Sequence, residues 1–154
     1  MNYDAEVTIE RPIEEVFAFF LDLSNLPSWS KIVEARLLTP GPMHIGSRFL
    51  EVFPIGPWRY EVVSEVIGFE EPTRLVFRSV SDGRVRWIGT AELAEVGPGS
   101  TRLRAHGEVR LRGLGLLEPL MAGELQRNEA NELAQLKQVM ENRGAVPAAV
   151  TPSG

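Results

Sequence analysis

The stretch Ala5-Glu6-Val7-Thr8-Ile9-Glu10-Arg11-Pro12-Ile13-Glu14-Glu15-Val16-Phe17-Ala18-Phe19-Phe20-Leu21 changes its hydrophobic period once, and that change sets the fold. Ala5, Val7 and Ile9 alternate with Glu6, Thr8 and Glu10, the period of two expected of a half-buried strand. Arg11-Pro12 ends the strand. Pro12 suits the first position of a helix, where an N–H has no intrahelical duty. Glu14 and Glu15 fall in the first turn and complement the helix dipole. Val16, Phe17, Phe19, Phe20 and Leu21 make the helix apolar over most of its circumference, so it is predicted to be buried. A second short helical turn is predicted at 23–29, interrupted by Pro27.

Beyond this opening the period stays at two for a long way. Strands are predicted at 32–38, 47–53, 58–69, 74–80, 84–96 and 101–111. The separators are Thr39-Pro40-Gly41-Pro42, Pro54-Ile55-Gly56-Pro57, Glu71-Pro72, Ser81-Asp82-Gly83 and Gly97-Pro98-Gly99-Ser100. Asp82-Gly83 is a hairpin signal, because this pair supplies positive φ readily. Turns this short imply an antiparallel meander rather than parallel crossovers. The period then returns to that of a helix at 116–142, where Leu125, Leu133, Leu136 and Met140 recur on one face. Pro119 marks its first turn and Arg143-Gly144 its stop. An antiparallel sheet and one long helix must bury their apolar faces against each other, so the class is α+β and a gap between them is a ligand chamber. The expectation is one domain over 1–143 followed by a flexible tail over 144–154, rich in Ala, Pro, Ser and Gly.

Composition narrows the function. A chain of 154 residues with 44% hydrophobic and 24% charged residues is ordinary for one globular domain. A net charge of −5 argues against a nucleic-acid partner. No cysteine is present, which excludes disulfides and thiol chemistry and fits a cytoplasmic location. No segment has the length and apolarity for stable membrane insertion, and no basic, apolar leader opens the chain. His44 and His106 lack the spacing of metal ligands, so no metal is expected. No phosphate loop, nucleophile elbow or dinucleotide fingerprint is present, so no cofactor is expected; Gly113-Leu114-Gly115 follows a meander strand and serves as a joint.

The strand faces locate a chamber. Phe49, Phe53, Trp58, Tyr60, Phe77 and Trp87 share the apolar face, while arginines and glutamates alternate on the other. The arginines are expected to pair across strands with Glu61, Glu65, Glu92 and Glu108. Gly89 and Gly107, in mid-strand, fit a sharply bent sheet. With Trp29, Met121, Leu125 and Asn128, these aromatics are the candidate ligand-binding set. Glu51 shares its strand face with Phe49 and Phe53, an odd place for a carboxylate. Asn128, Glu129 and Glu132 interrupt the apolar stripe of the long helix. The candidate catalytic groups are Tyr60 as a hydrogen-bond donor and Glu51 or Glu129 as a base raised by desolvation.

These residues resemble a known family. Ile9-Glu10-Arg11-Pro12-Ile13-Glu14-Glu15-Val16-Phe17 is similar to the strand-to-helix opening of polyketide cyclase/dehydrase-like proteins, in the START-related helix-grip (SRPBCC) superfamily. The resemblance continues at Asp22-Leu23-Ser24-Asn25-Leu26-Pro27-Ser28-Trp29, Gly46-Ser47-Arg48-Phe49 and Glu71-Pro72-Thr73-Arg74-Leu75-Val76-Phe77. It resumes at Gly99-Ser100-Thr101-Arg102-Leu103 and Leu133-Ala134-Gln135-Leu136-Lys137. It implies a helix-grip fold: a seven-stranded antiparallel sheet wrapped around a long C-terminal helix, two short helices after the first strand, and a deep cavity with Trp29 near its mouth. It also implies binding of a hydrophobic or aromatic small molecule of lipid, sterol or polyketide type. Two alternatives stand beside that: an aromatase/cyclase using acid/base groups in the same cavity, and a protein-interaction module without a ligand. A homodimer is compatible with each.

Overall fold

The computed structural model describes every residue except 81, 82, 114 and 151–154, and only the backbone of 144–150. Seven strands follow in chain order: β1 (Asn2–Ile9), β2 (Glu34–Leu37), β3 (Arg48–Ile55), β4 (Trp58–Glu70), β5 (Arg74–Ser79), β6 (Val85–Gly97) and β7 (Ser100–Leu111). Helix α1 (Ile13–Leu21), a 3-10 turn (Leu23–Asn25) and α2 (Leu26–Trp29) connect β1 to β2, and α3 (Glu118–Val150) follows β7. The strands form one antiparallel sheet in the order β1-β7-β6-β5-β4-β3-β2. The meander therefore runs unbroken from β2 to β7, and β1 joins its far edge. The expected α+β helix-grip architecture is present.

Several boundaries move for local physical reasons. β1 begins at Asn2, so Tyr3 precedes Ala5, Val7 and Ile9 on the inner face. Pro12 is the N-cap of α1 rather than its first residue, so the helix begins at Ile13, one position later than expected. Pro27 opens α2 instead of interrupting it, because a missing N–H costs nothing in a first turn. β3 reaches Ile55, which pairs with Trp58, so the turn shrinks to Gly56-Pro57 with Gly56 at a φ of 59°. α3 continues past Arg143-Gly144 to Val150. The predicted Ser81-Asp82 turn, Leu114 of the glycine joint and 151–154 of the tail lie outside the described residues.

The core sits where α1 and the second half of α3 meet the sheet. Ile9, Val16, Phe17, Leu103, Leu133, Leu136 and Met140 are buried together. Phe17 meets Phe69 edge-on with ring centroids 5.7 Å apart. The first half of α3 is different: Met121, Leu125 and Asn128 are only half-buried. Chiefly β1 and α2 pack against this helix. The helix thus closes one end of the concave sheet and leaves the other open.

The outer face carries paired charges, though not the expected set: Arg48 meets Glu65 across β3 and β4 at 4.0 Å, while Glu92 meets a histidine and Glu108 an arginine of its own strand. Arg104 binds Asp4 at 2.6 Å, His106 meets Glu92 at 2.7 Å and Arg110 donates to Glu108 at 2.6 Å. Exposed pairs of this kind contribute about 0–1 kcal/mol each. That face is not uniformly wet, however, since Leu50, Val52 and Val76 on it are buried.

Candidate functional site

Two strands, β1 and β3, and helix α3 bring carboxyl and phenol groups into the interior. On β3 the inward residues are Phe49, Glu51 and Phe53, and Glu51 lies opposite Val62 of β4. Glu51 is only 9% exposed. Among the described residues its carboxyl has no hydrogen-bond or ion-pair partner. Burial, with the Glu132 charge adding to it, pushes its pKa up to about 7. Glu129 projects from α3 and is also pushed up to about 7, first by burial and then by Glu132 and Glu51. Glu132 is raised by burial as well. It is held by the Lys31 backbone N–H and the Asn128 amide, each 3.0 Å from its Oε1. Those two bonds favour its charged form and oppose the effect of burial.

Tyr3 completes this group. Burial and the charges of Glu129, Glu51 and Glu132 raise its phenol above the ordinary tyrosine range, so it stays a protonated donor. Its place is prepared by Gly89 and Gly107, which lie opposite each other on β6 and β7. A Cβ on Gly89 would come within 2.8 Å of both the Tyr3 hydroxyl and the Phe77 ring. A Cβ on Gly107 would come equally close to that hydroxyl and would collide with the Ile88 carbonyl. These glycines were expected to bend the sheet; their observed role is to admit a phenol from the neighbouring strand.

An aromatic wall lies beside the carboxyl groups. Phe49 meets Phe77 edge-on at 5.9 Å. Phe53 stacks on Tyr60 at 6.2 Å and meets Trp87 at 6.0 Å. The Trp87 indole donates to Ser64 Oγ at 3.0 Å, which fixes the ring's orientation. Ser64 is itself fully buried on β4.

The sequence candidates therefore separate by depth. Phe49 and Glu51 are buried, and Phe53, Phe77, Trp87, Met121, Leu125, Asn128 and Glu129 are half-buried. Trp58 and Tyr60 share the inward face with Val62, but the first half of α3 does not reach them; Trp58 is 66% exposed and Tyr60 is exposed too. Tyr60 is thus a rim residue, and the interior phenol is Tyr3. Trp29 is buried and stacks on Phe20 at 5.6 Å. Its indole N–H is a buried donor without an acceptor. Trp29 also borders a groove of about 330 Å³ between α2 and α3, together with Lys31, Asn128 and Glu132.

Tyr3 and Glu132 are the residues that sequence reasoning underweighted. Tyr3 was legible, since extending the alternation of Ala5, Val7 and Ile9 back by two positions reaches it. The inward position of the glutamates was not legible, because it depends on how α3 is rotated about its axis. Among the described residues no cluster has the composition of a metal site. No described helix is long and apolar enough to cross a membrane.

Comparison with solved structures gives the same architecture. The protein TTHA0849 from Thermus thermophilus is 23% identical with a TM-score of 0.76, over 90% of this chain and 95% of that one. The Zhui aromatase/cyclase from Streptomyces sp. R1128 is 14% identical with a TM-score of 0.77, over 93% and 94%. A START superfamily protein from Mycobacterium smegmatis is 19% identical with a TM-score of 0.70, over 90% and 98%. At such identities the likeness speaks for the fold. Among curated proteins none matches the chain. A family model matches residues 2–141, and the chain belongs to the family described as polyketide cyclase / dehydrase and lipid transport.

Proposed function

We propose that this protein binds a hydrophobic, oxygen-bearing small molecule of lipid or polyketide type between the concave sheet and the first half of α3. The observation that carries this reading is the placement of Glu51 and Glu129 in an otherwise aromatic interior, both poised near neutral pH. Phe49, Phe53, Phe77, Trp87, Met121 and Leu125 supply apolar contact, as in typical small-molecule sites. Protonated Glu51 or Glu129 and the Tyr3 hydroxyl supply donors for a carbonyl or hydroxyl oxygen. The family's description and the likeness to the Zhui aromatase/cyclase support the same ligand class.

A second reading makes this an aromatase/cyclase-type enzyme. It is favoured by the same pair of carboxyls, because groups with pKa values near the working pH serve both as acid and as base. One carboxylate would take a proton beside a ligand carbonyl while a neighbouring acid or Tyr3 donates to the developing enolate oxygen.

Native mass spectrometry of gently purified protein, followed by organic extraction, tests the binding reading. A stoichiometric apolar adduct is expected. Repeatedly empty protein, with no thermal shift from a panel of polyketides, sterols and fatty acids, would overturn it. Once a ligand is known, Glu51→Gln separates the two readings: turnover falls by roughly tenfold or more if the carboxyl moves a proton.

A further inference from the structure

The interior holds more acid than its own residues neutralise. Glu51 enters from β3, Glu129 and Glu132 from one turn of α3, and the Tyr3 hydroxyl from β1. Among the described residues no cation enters with them. The inward side chains of β4 to β7 are uncharged, from Val62 and Ser64 through Phe77 and Trp87 to Ala105, and so are Ala35 and Leu37 on β2. On α3 itself Arg127 is exposed and paired with Glu124. Lys31, just after α2, is exposed too, and of the three glutamates its charge reaches Glu132.

Glu51 shows that this imbalance is unmet within the chain. Its carboxyl is 9% exposed, turns into the interior from β3, and has no hydrogen-bond or ion-pair partner among the described residues. Glu129, half-buried, has none either. Glu132 takes both of its bonds on Oε1. A buried carboxylate without a counter-charge is among the costliest groups a fold can hold. The acids do not gather as metal ligands do, since among the described residues no group of three is placed to hold a metal ion. Carboxyls set wider than that suit an organic cation, whose hydrogens reach separated oxygens. The wall beside them suits it as well. Phe53 and Trp87 lie 6.0 Å apart, Phe77 borders the Tyr3 hydroxyl across Gly89, and aromatic faces attract an ammonium group.

We infer, on the reading that the chamber takes an apolar small molecule, that this molecule carries a protonated amine seated between Glu51, Glu129 and the aromatic wall. A primary ammonium has three donors and no acceptor, so it can bridge two carboxylates. A neutral oxygen is served by these acids only while they keep their protons. An oxygen elsewhere on the same molecule still meets the Tyr3 hydroxyl. Charge exchange gives the amine a signature. In the empty chamber Glu51 and Glu129 hold protons up to about pH 7. An ammonium favours their charged forms, so its binding expels protons and strengthens as pH rises through that value. The other titratable groups facing them are Tyr3, which stays protonated, Glu132, Lys31 and, at the rim, Tyr60.

The test is titration calorimetry of the full chain with matched probes: phenylbutylamine, naphthylmethylamine and decylamine, each against the alcohol of the same skeleton. At about pH 8 an amine is expected to bind roughly tenfold or more tightly than its alcohol. That preference should shrink by a similar factor at about pH 5 and in the double variant Glu51→Gln, Glu129→Gln. Titration near neutral pH in buffers of different ionisation enthalpy should show roughly one proton released per amine bound. Alcohols that bind as well as amines, or a preference that the double variant keeps, would overturn the inference and leave the chamber reading standing. Amines and alcohols that all fail to bind would overturn both. Should the double variant fail to fold, the pH profile and proton count of the wild-type protein decide: a preference independent of pH with no proton release would sink the amine.

Discussion

Glu51→Gln should stabilise the protein, and the gain should appear only as pH rises. Glu51 is buried on β3 with no ion-pair partner among the described residues. Its pKa moves from an ordinary 4.5 to about 7 in the fold. The folded state therefore holds the proton more tightly than the unfolded chain. Stability is unaffected by this group below the ordinary carboxyl range. It falls as pH climbs through the interval from 4.5 to about 7, and the full penalty is present above it. At about 1.4 kcal/mol per pH unit, the interval corresponds to about 3 kcal/mol. Glutamine keeps the shape of the protonated acid and cannot ionise. Urea denaturation of both proteins across this range checks the argument. The two should be nearly equal at the acid end, and the variant should be about 3 kcal/mol more stable at the basic end. The slope of the wild-type curve has a second source, because Glu129 behaves in the same way. Removing the Glu51 charge should let the Glu129 value fall, which leaves the variant with a shallower slope rather than none. Parallel curves for the two proteins would refute the placement of a desolvated carboxyl at this position.

Two further outcomes follow from the Tyr3 pocket. Gly107→Ala puts a Cβ against the Ile88 carbonyl and the Tyr3 hydroxyl. Backbone cannot give way there as a side-chain tip can, so thermal or urea unfolding should report a loss of about 1–3 kcal/mol or more. Tyr3→Phe should remove the late component of the tyrosinate absorbance titration, because burial and three carboxylates hold the Tyr3 phenol above the ordinary range. A wild-type titration with only ordinary tyrosine behaviour would contradict that environment.

The sequence by itself determined the order and type of the elements. One change of period around Pro12, the turn residues between alternating runs and the final helical stripe were enough, because local hydrophobic period and turn chemistry act over a few residues. They also gave the sheet face of Glu51, since side chains alternate strictly along a strand. Tertiary structure decided what those faces meet. Trp58, Tyr60 and Glu51 share one inward face, yet Glu51 is buried and Trp58 is bathed in solvent. The difference is the reach and rotation of α3, whose second half packs on the core while its first half meets β1 and α2 and leaves the start of β4 uncovered. The same rotation turns Glu129 toward Glu51 and gives two distant carboxyls one shared protonation behaviour. No local pattern encodes that rotation. It comes from packing Leu133, Leu136 and Met140 against a sheet in which β1 has joined β7, and so the chemistry of the interior appears only when the fold is complete.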